Sequence, residues 1–342
     1  MDFHPDEDHR AYVSTLRRLL ADAAPLKAAR AWAAGDPEPG RRLWRSLADT
    51  GLVALAVPAA REGLGHRPPE LASAFFELGR AGVPGPVVET VAVAAALGAA
   101  GDAGDGAVAA APWLGPAMAG DALLTVADPA GPYALDAHLA DAAFVLERAP
   151  GDDDGDPGPV FAGAPHVLRL AAPEGAPRDS IDPVRRLTRC APAPGGTVAA
   201  DTVRLRSLAT LLTAAQTLGA GRALLDGSVE HAAHRTQFGR PIGSFQAVKH
   251  MLATVAVELE FAGPLLYGAA VALARGDTGS PDLPAAKAAC SDAAYGAART
   301  ALQVHGALGY TDEYDLTLHL RKARALRGAW GTPAACRAGR GP

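Results

Sequence analysis

The stretch HAAHRTQFGRPIGSFQAVKHMLA, residues 231–253, decides how the chain is read. Its first half closes a helix, and Gly239, Pro241 and Gly243 then break the backbone sharply. Ser244 is expected to cap the next helix, whose apolar residues Phe245, Val248, Leu252 and Val255 recur at helical spacing. Arg235 and Gln246 therefore flank a rigid elbow between two long helices. A fork-shaped guanidinium beside the free N–H groups of a helix start suits a phosphate or pyrophosphate. On spacing alone, an ordinary helical corner with a surface arginine is the simpler account.

Outward from this elbow the composition bounds the rest. A chain of 342 residues has length for two or three domains with sizeable cores. Hydrophobic content of 49% and charged content of 20% fit a soluble globular protein. A net charge of −5 gives no electrostatic case for nucleic acid or an anionic membrane. Cys190, Cys290 and Cys336 are odd in number and far apart, which points to a reducing compartment without disulfides or a metal site. The acidic start MDFHPDEDHRAYV argues against a signal peptide, and the apolar run 91–100 is too short for a bilayer. A cytoplasmic protein is expected.

Three textures follow one another. Residues 1–112 read as an N-terminal helical domain. Tyr12, Leu16, Leu19 and Leu20 share a face of its first helix; Leu43, Trp44 and Leu47 belong to a second. A buried turn-and-extended segment, TGLVALAVPAAREGLG, precedes helices over 68–82 and 86–101. Residues 113–202 read as a middle β-domain, in which ALLTVAD, AAFVLERA, PVFAG and HVLRLAA have the lengths of strands in a small antiparallel sheet or barrel. GDDDGDPGP, 151–159, reads as a solvated loop, since it lacks the spacing and closing glutamate of a calcium loop. Residues 203–342 read as a C-terminal four-helix bundle over 203–234, 244–275, 283–308 and 314–328. Pro264 is expected to kink or interrupt the second of these, and Gly306 and Gly309 to end the third.

RTQFGRPIGSFQAVKHMLA resembles the signature of the acyl-CoA dehydrogenase family, RxxFGxxIxxFQ followed by an apolar helix. LWRSLADTGLVALAVP and AFFELGRAGVPGPVVET resemble that family's N-terminal domain, SIDPVRRLTRC the closing strand of its middle domain, and ALQVHGALGYTDEYDL its QxxHGGxGY segment. The resemblance covers almost the whole chain and is weakest in the middle. It implies a mainly α fold with a small β-domain: helical domain, β-domain, oligomer-forming four-helix bundle. It implies FAD as cofactor, contacted by Arg235, Phe238 and Gln246, usually from the neighbouring subunit. It further implies that Gln303, Val304 and Gly306 approach the adenosine–diphosphate end and that Thr332 meets the cofactor; Ala307 replaces the second glycine of that segment.

The chemistry implied is α,β-dehydrogenation of an acyl thioester, with a carboxylate removing the α-proton. The resemblance offers two positions for that carboxylate. Trp330, in RGAWGTP, stands at the commoner one and Ala209 at the other, so neither carries an acid. Ser207 and Thr210 replace the D-x-x-R pair that helps to hold CoA. The flavin loop survives only as VADPAGPYALD, and no WxxNG segment is present.

Asp312 and Glu313 remain as candidate bases, although a solvated helix start accounts for them. His231 and His234 are three apart on a helix but lack a third ligand at sensible spacing, so no metal is expected. Glu258 and Glu260 read as a polar stripe on the second bundle helix.

Three functions follow. The first is a subunit that completes the flavin site of a second acyl-CoA dehydrogenase chain, in a hetero-oligomer acting on an acyl-CoA or acyl-carrier thioester. The second is a self-sufficient flavoenzyme, as a homo-oligomer, with an atypical base. The third is a structural homologue without flavin.

Overall fold

In the computed structural model, residues 5–100, 111–127, 131–148 and 166–339 are described. Helix α1 (Glu7–Ala23) starts where the Asp6 side chain accepts the His9 N–H, and buries Leu16 and Leu20. It is followed by α2 (Pro25–Ala33) and α3 (Glu38–Ala48). The TGLVALAVP segment is buried as expected, but it winds into a turn and a 3-10 helix, Ala54–Ala56, before reaching extended backbone at Val57. Helices α4 (Pro68–Ala81) and α5 (Val87–Gly98) complete this part, and every residue of α5 is buried.

After α6 (Ala111–Met118) come β1 (Leu124–Ala127), β2 (Tyr133–Leu135), β3 (Ala142–Arg148), β4 (His166–Arg178) and β5 (Leu187–Val198). They form one sheet in the order β1-β3-β4-β5-β2. The expected antiparallel arrangement needs correcting, because β1 and β3 pair in parallel with Leu124 opposite Ala142. The reason is topological: β2 leaves β1 for the opposite edge beside β5, so β3 returns along β1 in the same sense. The Thr125 hydroxyl donates to the Leu135 carbonyl at 2.7 Å, drawing the two edges together. PVFAG and the 151–159 loop lie outside the described residues.

The rest is helical: α7 (Thr202–His234), α8 (Gln246–Ala274), α9 (Asp282–His305), α10 (Leu316–Leu326) and α11 (Pro333–Ala338). The α7 helix runs 33 residues and packs against α4, α5, α8, α9 and α10. One expectation fails here, and one of two alternatives for another is excluded. Ser244 does not cap α8; it sits in a 3-10 turn, Ile242–Ser244, and Phe245 occupies the N-cap without a side-chain bond. Pro264 does not interrupt α8, which continues to Ala274. Pro264 and Glu260 are both exposed, so water can meet the carbonyl that the proline leaves unbonded.

The N-terminal helices are joined to the bundle at a crossing without side chains. A Cβ on Gly79 of α4 would lie 2.0 Å from the Gln216 carbonyl oxygen, and one on Gly219 of α7 would lie 1.9 Å from that of Phe76. The two backbones therefore touch. In an isolated helix Gly→Ala is stabilising by about 1 kcal/mol, but here the added methyl must push backbone apart. Gly79→Ala and Gly219→Ala are each expected to destabilise by about 1–3 kcal/mol. A denaturation midpoint equal to or above that of the parent chain would contradict the contact.

Candidate functional site

The elbow is a hairpin. Arg235 follows α7 in extended backbone; its N–H donates to the His231 carbonyl at 2.8 Å, and its own carbonyl accepts the Ile242 N–H at 2.8 Å. Strands β6 (Thr236–Gln237) and β7 (Arg240–Pro241) pair around Phe238 and Gly239. These two residues have φ of 51° and 78°, the left-handed pair that a two-residue hairpin of this hand requires. Phe238 is thereby thrust outward, 92% exposed, with its ring edge-on to Phe245 at 6.2 Å. The Arg240 guanidinium covers the Phe245 ring at 4.2 Å. Arg235 is exposed, as is Gln246 in the first turn of α8, where backbone N–H groups lack helical partners. The hairpin and the helix start that follows it thus bring two exposed cations and an exposed aromatic ring to the surface within twelve residues of chain.

The end of α9 lies against the end of α7. Gln303 and Gly306 are exposed and Val304 is buried, while Gly306 ends α9 with φ of 59°. His305 faces inward, its ring stacked on His231 at 4.2 Å and tilted on Tyr314 at 5.4 Å. Burial pushes the pKa of both histidines below the usual value, which favours neutral rings in the stack. His231 thus pairs with His305, whereas Nδ1 of His234 meets the Glu230 carbonyl at 2.8 Å. Among the described residues no cluster able to hold a metal ion occurs.

Beyond α10 the chain makes a turn fastened from several sides. Lys287 of α9 donates to the carbonyls of Leu326 at 3.1 Å and Arg327 at 3.4 Å, closing the end of α10. Burial lowers the pKa of its ammonium to about 8. Trp330 follows with φ of 51°, and its carbonyl accepts the Thr210 hydroxyl at 3.3 Å. Its indole is buried, and Nε1 donates to Glu89 Oε1 at 3.1 Å. Thr332 caps α11 by accepting the Ala335 N–H at 3.1 Å.

Glu89, 3% exposed, is the carboxylate that reading the sequence missed. A lone acid in an otherwise uncharged helix, VVETVAVAAALG, was the available signal. Close enough to interact is Asp136, another buried acid; its oxygens accept the Trp32 indole at 3.2 Å and the Arg186 N–H at 3.0 Å. Burial raises its pKa to about 7, and the Glu89 charge pushes the same way.

Asp312 and Glu313 lie elsewhere. Both are exposed; their carbonyls accept bonds from Arg30, and the Asp312 carboxylate pairs with Arg321. Ser207 lines a cavity of about 300 Å³ with His66, Asp201, Arg204 and Thr278. Ala209 is fully buried.

Comparison with known proteins identifies the lineage. Residues 6–118 match the N-terminal domain of acyl-CoA dehydrogenases and 207–337 the C-terminal domain. The acyl-CoA dehydrogenase IpdE2 of Mycobacterium tuberculosis is 33% identical over 328 residues, 93% of this chain and 92% of that protein. The chain belongs to the acyl-CoA dehydrogenase family. Solved structures agree in fold: the ChsE4–ChsE5 complex from Mycobacterium tuberculosis superposes with TM-score 0.80 at 24% identity, covering 99% of this chain and 98% of that one. A structure of PigA with FAD and proline gives 0.81 at 18% identity, with 99% and 97% coverage.

Within the acyl-CoA dehydrogenase fold of this chain, the interior near Trp330 holds two buried acids. Each holds an indole N–H, and one of them titrates near neutrality. The folded protein holds a proton on Asp136 between about its ordinary value of 3.8 and about 7, where the unfolded chain does not. This group therefore favours folding as pH falls from 8 toward 5 and opposes it above 7. Asn tolerates the left-handed φ of 49° at this position and does not titrate. Asp136→Asn is expected to flatten the rise in denaturation midpoint between pH 8 and pH 5.5; the same pH profile in both chains would contradict the assignment.

Proposed function

We propose that this chain is a subunit of an FAD-dependent acyl-CoA dehydrogenase, which lacks its own dehydrogenation base and completes the flavin site of a partner chain. The observation carrying this reading is the contrast between the two halves of the site. The hairpin has the parts a flavin nucleotide needs: Arg235 for a pyrophosphate, the exposed Phe238 ring for a flat surface, and Gln246 at a helix start. They face away from the body of the chain, as residues serving a neighbour's cofactor would.

The interior half has lost the corresponding chemistry. At the expected base positions stand Ala209, without a polar atom, and Trp330, whose indole nitrogen donates and cannot accept a proton. FAD at such a site supplies the acceptor for the hydride that leaves the acyl β-carbon. This chain's residues bind and orient: Arg235 holds charge and Gln246 offers its amide, while Gln303 and Gly306, exposed at the end of α9 beside the end of α7, line the approach to the hairpin. Val304 is buried and Thr332 caps α11, so neither has a surface role that the contacts support.

Association has a surface of its own. Val257, Phe261 and Leu265 lie at helical spacing on the outer side of α8, exposed by 53%, 74% and 47%. The partner we favour is a second acyl-CoA dehydrogenase chain carrying the missing carboxylate. The self-sufficient alternative has less support, because Asp312 is exposed and already paired with Arg321. The three cysteines are buried and form no disulfide, which suits the cytoplasm.

The test is expression alone and together with the dehydrogenase chain of an adjacent gene. FAD retention and dye reduction with an acyl thioester only in the pair support the proposal; full activity of this chain alone refutes it. In the assembled protein, Arg235→Ala removes a charge-assisted contact of about 1.5–3 kcal/mol. FAD affinity is then expected to fall at least about tenfold, read by fluorescence titration. Unchanged affinity would show that Arg235 does not meet the cofactor.

A further inference from the structure

Glu89 is the carboxylate in direct contact with the residue at the family's base position, and the family resemblance gives it no role. Its Oε1 accepts the Trp330 indole at 3.1 Å, and its Oε2 is buried without a partner. Trp330 holds a backbone conformation that bulky residues rarely adopt, with φ of 51°. Such a conformation persists only where surrounding contacts over-determine it. Those contacts are the Glu89 carboxylate on the side chain and the Thr210 hydroxyl on the carbonyl, with Lys287 fixing the two carbonyls at the end of α10.

We infer that Glu89 is a positioning residue, holding the Trp330 indole in place at the position where the family carries its carboxylate. The inference rests on the proposed function above, which it deepens. Two observations favour positioning over catalysis by Glu89 itself. Its free oxygen has no exposed surface from which to reach an α-carbon. Its other oxygen is engaged by an indole that buries the carboxylate beneath it. Glu89 and Trp330 are then one unit: a buried carboxylate without its donor, or a buried N–H without its acceptor, is worse than the absence of both.

The experiment is a double-mutant cycle on the purified chain or its assembly, read as denaturation midpoints. Trp330→Phe leaves Glu89 buried without a donor, and Glu89→Leu leaves the indole N–H unpaired; each is expected to lower the midpoint. The double variant is expected to be more stable than Trp330→Phe alone, and Glu89→Gln, whose amide oxygen still accepts, to stay near the parent. Additive losses would overturn the pairing.

A second readout separates positioning from proton transfer: exchange of the α-protons of octanoyl-CoA in D₂O, followed by NMR with FAD-loaded protein. Exchange no slower in Glu89→Gln than in the parent supports positioning. A slowing of about 100-fold or more, the contribution of a placed base, would make Glu89 the base and overturn the proposal. The midpoint cycle needs neither flavin nor partner, so a failure of the flavin-sharing reading shows separately, as absent FAD retention in the co-expressed pair.

Discussion

The backbone contact between α4 and α7 at Gly79 and Gly219 sets the geometry of everything around it. With no side chain between them, the two helices fix how closely the N-terminal part sits on the bundle. α5, entirely buried, follows α4 after a short connection and packs against α7. That placement allows Glu89 to reach Trp330 across 241 positions of sequence. Thr210 of α7 meets the same turn from the other side. Where two helices cross at glycines, a side chain cannot take up slack, so partners elsewhere along the pair stay in register. A buried ion pair in the same interior, Lys322 with Asp182 at 3.6 Å, ties α10 to the chain segment before β5.

From this frame the chain divides its polar groups unequally. The interior is filled: indoles cover carboxylates, Lys287 closes a helix end, and the expected base positions offer no free acid. The exterior is left open at the hairpin, where an exposed arginine, an exposed phenylalanine ring and a helix start follow one another in the chain. An aromatic ring held out on a turn with two left-handed residues is costly for an isolated chain and useful for one that is covered. The apolar outer side of α8 continues the same theme. This division is what the proposed role, completing a partner's flavin site, would require.

Much of this architecture was legible in the sequence. The bundle helices follow from apolar spacing and glycine breaks, and a sharp elbow from FGRPIG; that the elbow is a two-stranded hairpin shows only in the pairing of Thr236–Gln237 with Arg240–Pro241. What was not legible depends on contacts between distant residues. Ser244 is a favourable cap by type, yet the 3-10 turn at Ile242–Ser244 gives that place to Phe245. Pro264 is a helix breaker by type, yet solvent at an exposed carbonyl lets α8 continue. The parallel pairing of β1 and β3 reflects where β2 goes, which strand-length patterns do not encode. In the site, the positions where the family resemblance expects a carboxylate are occupied by Trp330 and Ala209. Glu89 escaped because its relation to Trp330 exists only after α5 and the turn following α10 are packed together.

The central claim is that dehydrogenation by the assembly runs on a carboxylate outside this chain. The most direct measurement is the steady-state rate of the assembled pair after the partner's carboxylate at the position equivalent to Trp330 is changed to its amide. The account predicts a loss of about 10²–10⁴-fold, with FAD still bound. A rate that survives this change would place the proton acceptor in this chain and contradict the account.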